Sequence, residues 1–281
     1  MQINGAMGLM DKTEIFFLGS GGGRFSMITQ RRHTGGIRFL NPMNIQLDPG
    51  PGAIVYSNQM NLSPLKVEAL LISHAHPDHY GDGEIFIEAM TDGMTRKKGY
   101  LIAPRSVIRG AGKHDPCISN YHRNMVKKIF EVKPGDRIDL AKIEVEVTKA
   151  KHTDPSTVGF KFKFPAGHVA YIPDTEYFEG MENQYGDIRI LIVSVLRPRG
   201  TPIRGHLCSD DAVEILNKIK PEISILTNFG MRMIYMNPNS EARFVEEKTG
   251  IKTIAAYDNM RLEVGNQIKI INERPSLERF F

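Results

Sequence analysis

Three histidines and one aspartate lie within six consecutive positions of this chain, as His74, His76, Asp78 and His79. Neutral imidazoles and a carboxylate are the ligands that zinc prefers in proteins, and they also suit iron or manganese. A solvated loop can carry one or two histidines by accident, but the spacing His-x-His-x-Asp-His has little purpose without a cation to hold. The motif therefore predicts a metal site.

The elements around the motif would place its side chains in one pocket. The apolar run at residues 67–72 is typical of a short buried strand that ends where the histidines begin. Pro77 then turns the chain, and the apolar residues within 83–91 recur with helical spacing. We expect a strand, a ligand-bearing loop and a helix in that order.

The motif resembles the His-x-His-x-Asp-His signature of the metallo-β-lactamase fold superfamily, and the resemblance extends towards both ends of the chain. In pattern it is nearest to the phosphodiesterase and RNA-processing branches. The resemblance implies an α+β fold, a four-layer αββα sandwich of two mixed sheets with helices outside and the site along one sheet edge. We accordingly expect a single metallo-hydrolase domain at residues 13–281, preceded by a loose N-terminal extension at residues 1–12.

Two further residues lie at the ends of predicted strands. His152 precedes Thr-Val-Gly-Phe at residues 157–160, which is similar to the third histidine motif of the family. Asp174 ends the apolar run 169–172 and matches the aspartate that bridges two metals in the family, although an acid there can also cap a helix. The resemblance implies that one ion is held by His74, His76 and His152, a second by Asp78, His79 and, weakly, Asn228, with Asp174 between them.

Asn228 is the one clear departure from the family pattern. The family usually has its last histidine ligand at this position, after the strand predicted at 223–227. An amide oxygen is a weaker and harder ligand than imidazole, so the second site would bind loosely or select a harder ion such as manganese. We expect two divalent ions, zinc first with manganese or iron as alternatives, and leave the occupancy of the second site open.

An arginine-rich loop leads into another histidine. Arg197, Arg199 and Arg204 precede His206, and a predicted amphipathic helix begins at Ser209. A guanidinium suits bidentate phosphate binding, although a solvated basic loop is the plain alternative. The family places a catalytic or phosphate-contacting histidine at this helix start, so we predict that the arginines bind substrate and that His206 is catalytic.

This ligand set predicts metal-dependent hydrolysis. Two cations would make hydroxide available near neutral pH, Asp78 would orient the attacking water, and His206 would protonate the leaving oxygen. A small or cyclic phosphodiester is the preferred substrate, because the chain between His152 and Asp174 lacks the long basic arm of transfer-RNA 3′-processing members. Nucleic acid is therefore not favoured. The alternatives are a lactonase-like or thioesterase-like hydrolase and, because of Asn228, a non-catalytic metal-binding sensor.

The composition is that of an ordinary globular protein, with 281 residues, 41% apolar and 24% charged. A net charge of +4 suits a small anionic, phosphate-containing substrate but is too weak by itself to indicate nucleic-acid binding. Cys117 and Cys208 form no disulfide pattern, and we find neither a signal peptide nor a run of ~20 apolar residues. We expect a cytoplasmic protein without a membrane partner, and a homodimer is compatible with the sequence.

Overall fold

The computed structural model describes residues 12–112 and 115–271. The extension predicted at residues 1–12 lies outside these ranges except for Lys12, whose ammonium group is 2.7 Å from a carboxylate oxygen of Glu263. His114 and the last ten residues of the predicted domain also lie outside the described residues. Within the described ranges the strands form two eight-stranded mixed sheets.

The first sheet combines strands from the first half of the chain with strands near its end. In spatial order it contains β16 (Ile268–Ile270), β15 (Met260–Val264), β1 (Thr13–Phe17), β2 (Ile37–Leu40), β3 (Ile45–Leu47), β4 (Ala69–Leu71), β5 (Lys98–Pro104) and β6 (Val126–Val132). Strands β3 to β6 run parallel to one another. Strand β4 is buried at all three residues between two parallel neighbours, which explains why its sequence is uninterruptedly apolar.

The second sheet is built from the middle and the later part of the chain. In spatial order it contains β14 (Thr253–Ala255), β13 (Ile223–Thr227), β11 (Ile190–Arg197), β10 (Gly167–Ile172), β9 (Val158–Phe164), β8 (Glu144–Lys149) and β7 (Arg137–Asp139), with β12 (Leu207–Cys208) beside β11. Strand β10 is antiparallel to β9 and parallel to β11. The sheet therefore changes from hairpins to parallel strands at β10.

Helices cover the outer faces of both sheets. In chain order they are α1 (Arg24–Thr29), α2 (Ala53–Gln59), α3 (Pro77–Tyr80), α4 (Gly83–Met90), α5 (Arg105–Arg109), α6 (Asn120–Arg123), α7 (Ser209–Ile219), α8 (Met231–Tyr235) and α9 (Pro238–Thr249). Apolar side chains of α2, α4 and α5 pack on the first sheet, and those of α7 and α9 pack on the second. Among residues 12–112 and 115–271, no helix has the length and apolar character needed to cross a lipid bilayer.

The two sheets face each other across the largest apolar cluster of the protein. Phe39 of the first sheet packs against Phe162 and Phe164 of the second, with ring centroids 4.9 and 5.6 Å apart. Such tilted aromatic pairs stabilise a core by about 0.5–1.5 kcal/mol each beyond the area that they bury. The layers run helix, sheet, sheet, helix, so the predicted αββα sandwich is confirmed.

The local sequence predicted the strand and the helix that flank the histidine motif, but not the short helices that follow glycine turns. The strand predicted at 67–72 is β4, and the helix predicted at 83–91 is α4. Helices α1 and α2 were not predicted, because they have only six and seven residues and begin after Gly23 and Gly52. Both glycines have positive φ, +75° and +93°, a conformation that other residues adopt only with strain. These turns set the direction of each short helix without leaving an apolar period in the sequence.

Candidate metal centre

Four of the predicted ligands meet at one edge of the two sheets. His74 and His76 follow β4, His152 follows β8 and Asp174 follows β10. One donor atom of each lies within 4.8 Å of the others. His76 Nδ1 is 3.0 Å from His74 Nε2 and 3.1 Å from His152 Nε2, so three imidazole nitrogens converge on one small volume.

A second group of donors shares Asp174 with the first. Asp78, His79 and Asp174 also have donor atoms within 4.8 Å of one another. His79 Nε2 lies 3.5 Å from Asp78 Oδ2 and 3.7 Å from Asp174 Oδ2. Because Asp174 is common to both groups, its position is compatible with the bridging role that the sequence predicted.

Asp48 fixes the orientation of two of the histidines. Its Oδ2 accepts hydrogen bonds from His79 Nδ1 (2.8 Å), the Ser73 hydroxyl (2.7 Å) and the Tyr171 hydroxyl (2.8 Å). Since the Ser73 hydroxyl donates to Asp48, its oxygen can only accept from His74 Nδ1, 2.9 Å away. In both histidines Nδ1 is the nitrogen that donates, so Nε2 is directed into the cluster and, in the neutral ring, carries the lone pair. Asp48 therefore orients His79 directly and His74 through Ser73.

His152 is oriented in the same way by the backbone. Its Nδ1 is 2.6 Å from the carbonyl oxygen of Gly205, to which it can only donate. Its Nε2 is thereby also left with a lone pair that faces the cluster. His74 and His152, which lie on two different loops, therefore both direct an Nε2 lone pair at His76 Nδ1. This convergence of imidazole nitrogens is typical of a metal site.

Asp154 joins the two loops that carry these histidines. Its Oδ2 accepts hydrogen bonds from the backbone N–H of Ala75 (2.9 Å) and from the hydroxyl of Ser106 (2.6 Å), and its Oδ1 accepts from the N–H of Ser156 (2.9 Å). The side chain is fully buried. Sequence reasoning did not select Asp154, although its position two residues after His152 was a usable signal.

The pKa values of His74 and His76 suit a divalent cation, whereas for His79 burial is outweighed by the carboxylates of Asp78 and Asp48, which raise its pKa. Burial, followed by the nearby charge of His79, holds the pKa of His74 well below its usual value. Burial also lowers the pKa of His76 to about 4. Both rings are therefore neutral near pH 7, which is the form that binds metals. Nε2 of His79 is buried and has no hydrogen-bond partner among the described residues, so the donor set fits a metal ion.

His206 lies beside the same carboxylate. Its Nδ1 is 3.4 Å from Asp174 Oδ2, and its ring meets that of His152 edge-on at 4.8 Å between centroids. Burial opposes the charged form of His206, but the hydrogen bonding and charge of Asp174 outweigh it and raise the pKa of His206 above its ordinary value. The structure therefore brings this histidine to the cluster in a form suited to give up a proton.

Asn228 approaches the cluster from the end of β13. It adopts a left-handed backbone conformation, with φ of +61°. Its amide nitrogen donates a hydrogen bond to Asp174 Oδ1. In this orientation Asn228 contacts the shared carboxylate through N–H, whereas a metal would require its oxygen. The ligand role of Asn228 stays a prediction.

The glycine-rich turn after β1 closes over the site. The backbone N–H of Gly23 donates to Asp78 Oδ2 at 2.6 Å. A Cβ on Gly22 would lie 1.7 Å from Oδ1 of Asn228, a distance that no side chain tolerates. Position 22 therefore requires glycine, because Asn228 occupies the space that a side chain would need.

A cavity of about 780 Å³ opens onto the centre. The residues that line it are Gly23, Arg24, Met27, Ile28, Ala75, His76, Pro77, Asp78, Tyr80, Thr153, Asp174, Leu196 and His206. Arg24, Met27 and Ile28 lie on α1 and were not selected from the sequence. A helix of six residues leaves too little pattern to indicate which of its faces meets a pocket.

The arginines predicted to bind substrate lie outside the cavity lining. Arg197 donates from Nε to the carbonyl oxygen of Thr201 at 3.2 Å. Nε of Arg199 is 3.6 Å from a carboxylate oxygen of Glu241 in α9, a partner 42 positions away in sequence. Arg204 is exposed, and its charge contributes to lowering the pKa of Glu176, after the hydrogen bonds of Lys151 and of the Gly205 backbone. Substrate binding by these three residues remains a prediction.

Comparison with known proteins agrees with this arrangement. Residues 43–229 match the family model described as a beta-lactamase superfamily domain. The chain is 40% identical to "Uncharacterized protein MJ1374" of Methanocaldococcus jannaschii, in an alignment that covers 91% of this chain and 96% of that protein. It is 28% identical to the Ribonuclease Z of Thermococcus kodakarensis, in an alignment that covers 57% of this chain and 46% of that protein.

A solved structure supports the fold over nearly the whole chain. The crystal structure described as a new diphosphatase from the PhnP family covers 92% of this chain and 99% of its own, with a TM-score of 0.67 and 17% identity. At that identity the similarity shows the fold alone. Taken with the family model, which spans well over half of the sequence and includes the histidine motif, it shows that the chain belongs to the metallo-β-lactamase fold superfamily.

Proposed function

We propose that the protein is a metal-dependent hydrolase that cleaves a small or cyclic phosphodiester. The observation that carries the proposal is the sharing of Asp174 by two groups of metal-ligand atoms, with His206 3.4 Å away, at the floor of one cavity. A structural metal site needs neither a second group of ligands nor a cavity. A hydrolytic site uses both.

The residues divide into two sets of donors. His74, His76 and His152 would hold one ion, and Asp78 and His79 would hold the other, with Asp174 between them. Three protein donors on the second ion leave a position open, which is typical of catalytic rather than structural sites. Divalent ions, zinc first and manganese or iron as alternatives, would supply Lewis acidity and make hydroxide available near neutral pH.

Side chains of this protein would orient the attacking water and protonate the leaving oxygen. Asp78 lines the cavity and is held by the N–H of Gly23, so it is placed to accept a hydrogen bond from the attacking water and orient it. His206 would donate a proton to the leaving oxygen on the opposite side of the scissile bond. The neighbouring carboxylate of Asp174 favours the protonated form of His206 that this role requires.

Two observations favour a phosphate-containing substrate over other esters, and a third disfavours RNA. The Ribonuclease Z relative acts on a phosphodiester by its name, and the structural neighbour from the PhnP family is a diphosphatase. The net charge of +4 suits an anionic substrate. Strands β9 and β10 fill most of the interval between His152 and Asp174, which leaves no room for a long RNA-gripping arm.

Hydrolysis of bis-p-nitrophenyl phosphate by the zinc-loaded protein tests the proposal. We expect Asp78→Ala to lower kcat/KM by about 10³-fold or more, because it removes both a ligand and the water-orienting carboxylate. His206→Gln should lower kcat by about 10²-fold to 10⁴-fold. His168→Gln is the matched control, since His168 lies at the other end of β10 and contacts the carbonyl oxygen of Asp187.

Two outcomes would select the alternatives. Cleavage of a lactone or thioester without cleavage of any phosphodiester would indicate a lactonase-like or thioesterase-like hydrolase. Zinc binding without turnover of any of these esters would indicate a metal-binding sensor, the alternative raised by Asn228 in place of histidine.

A further inference from the structure

One wall of the cavity is formed by a single face of α1. Arg24, Met27 and Ile28 line the cavity, and their spacing of three and four residues places them on the same side of the helix. Ile28 is 71% exposed although its side chain is entirely apolar. Leu196, at the end of β11, extends the same apolar wall.

This wall is coupled directly to the candidate metal centre. Helix α1 begins immediately after Gly23, whose N–H donates to Asp78 Oδ2. A Cβ on Gly23 would lie 3.2 Å from Leu196 Cδ1, so the turn and the apolar wall are in contact. The first turn of α1 is therefore fixed relative to the atoms that would carry out hydrolysis.

We propose that α1 determines substrate specificity by binding an apolar ring that the phosphate of the substrate carries. The inference rests on the proposed function, since it takes the phosphate to be bound at the centre. Met27, Ile28 and Leu196 would pack against the ring, and Arg24 would pair with the negative charge of the phosphate. The substrate class is then a small aryl or heterocyclic phosphate ester.

The size and chemistry of the cavity support a ring. Its volume of about 780 Å³ lies within the range of roughly 300–1,000 Å³ that holds drug-sized ligands, which leaves space beyond a bare phosphate. The floor carries the polar side chains of the candidate metal centre, whereas the α1 wall offers the exposed apolar side chain of Ile28. Because burying that surface against a ring removes more apolar area from water, the site should favour a phosphonate that carries a ring over one of equal charge that carries a methyl group.

Binding of two phosphonates to the zinc-loaded protein tests the proposal without turnover. Phenylphosphonate and methylphosphonate carry the same anionic group and differ only in the ring. By calorimetry we expect the wild type to bind phenylphosphonate about tenfold more tightly than methylphosphonate. Ile28→Ser should lower that ratio about fivefold while the affinity for methylphosphonate is unchanged.

The same helix offers a matched control. Phe25 is 73% exposed, as apolar and accessible as Ile28, but it does not line the cavity. Phe25→Ser should therefore leave the ratio unchanged. Arg24→Gln should weaken both phosphonates by the same factor, because the guanidinium contacts the anion and not the ring. Equal zinc content in all variants establishes that each is folded.

Three results would contradict the proposal that α1 determines specificity. They are no measurable binding of phenylphosphonate, equal binding of the two phosphonates by the wild type, and equal affinity ratios for Ile28→Ser and Phe25→Ser. The proposed function fails by a different result. If the zinc-loaded wild type cleaves no phosphodiester but still prefers phenylphosphonate in an Ile28-dependent manner, phosphodiester hydrolysis is wrong and the wall stands.

Discussion

The protein buries two polar clusters, one around Arg38 and one around the histidines, and they differ in what they contain. Arg38 is fully buried and donates hydrogen bonds to Gln46 Oε1 (2.9 Å), Asn44 Oδ1 (3.0 Å) and Ser57 Oγ (3.1 Å). In the histidine cluster His74 and His79 are buried, yet Nε2 of His79 has no hydrogen-bond partner among the described residues. The first cluster satisfies its own polar groups and the second does not.

The difference lies in the cation. The Arg38 cluster has a cation, the guanidinium, surrounded by oxygen atoms of neutral side chains, and burial lowers the pKa of Arg38 to about 9. The histidine cluster contains residues suited to bind a cation: His74 Nε2 and His152 Nε2 both face His76 Nδ1, and His79 Nε2 has no hydrogen-bond partner among the described residues. A buried polar group that the chain itself satisfies stabilises the fold, whereas converging unsatisfied acceptors indicate a site for something else.

The largest expected effect comes from removing the carboxylate that both donor groups share. Asp174→Ala should lower kcat/KM for bis-p-nitrophenyl phosphate by about 10⁴-fold, which corresponds to about 5.5 kcal/mol of transition-state stabilisation. The free energy of unfolding without metal should change little, since the same mutation relieves the burial of a charge. Steady-state kinetics and urea denaturation measure the two quantities. A large loss of stability with full activity would contradict the contrast between a structural Arg38 cluster and a metal-binding histidine cluster.

Arg38→Met should lower the stability of the fold and leave the activity unchanged. It leaves buried acceptors of Gln46 and Asn44 without their donor, so we expect the free energy of unfolding to fall by about 3 kcal/mol. The zinc content and the kcat/KM of the folded molecules should match those of the wild type. Urea denaturation and elemental analysis test both statements, and a loss of zinc would show that the clusters are not independent.

Asp48→Asn should weaken one metal position more than the other, because Asp48 contacts His79 directly and His74 only through the Ser73 hydroxyl. Asp48 accepts the Nδ1–H of His79, and loss of such an orienting carboxylate typically costs about 10-fold to 100-fold in metal affinity. We expect the weaker of two calorimetric zinc-binding steps to shift by that factor. Equal weakening of both steps would mean that Asp48 supports the loop as a whole, not His79.

Asn228→Ala has the smallest expected effect. It removes one hydrogen bond to Asp174, so kcat/KM should fall by about fivefold while the number of zinc ions stays the same. If Asn228 is instead a ligand, as the sequence predicted, the alanine variant should lose an ion. Asn228→His provides the comparison, because imidazole would strengthen the second ion in either case.

How far the sequence predicted the site depends on how local each contact is. His74 to His79 were predicted because ligands and their supporting strand are adjacent in sequence. His152 and Asp174 required the family resemblance, since only the packing of β8 and β10 against β4 brings them within reach. The sandwich itself was predictable on the same basis.

The missed features depend on distant partners. Arg199 carries the local pattern of a phosphate ligand, but Glu241 of α9 engages it, and no local window shows that partner. Ile28 and Arg24 line the cavity only because a glycine with positive φ turns α1 towards Asp78. Contacts of this kind are set by the assembled layers, not by spacing along the chain.

The number of zinc ions bound per chain tests the central claim most directly. Elemental analysis of the wild type, His79→Ala and Arg38→Met should give two, one and two ions, because His79 is a ligand of one position and Arg38 of neither. A wild type that binds no zinc, or only one ion, would contradict the two-metal centre. So would a His79→Ala variant that still holds two.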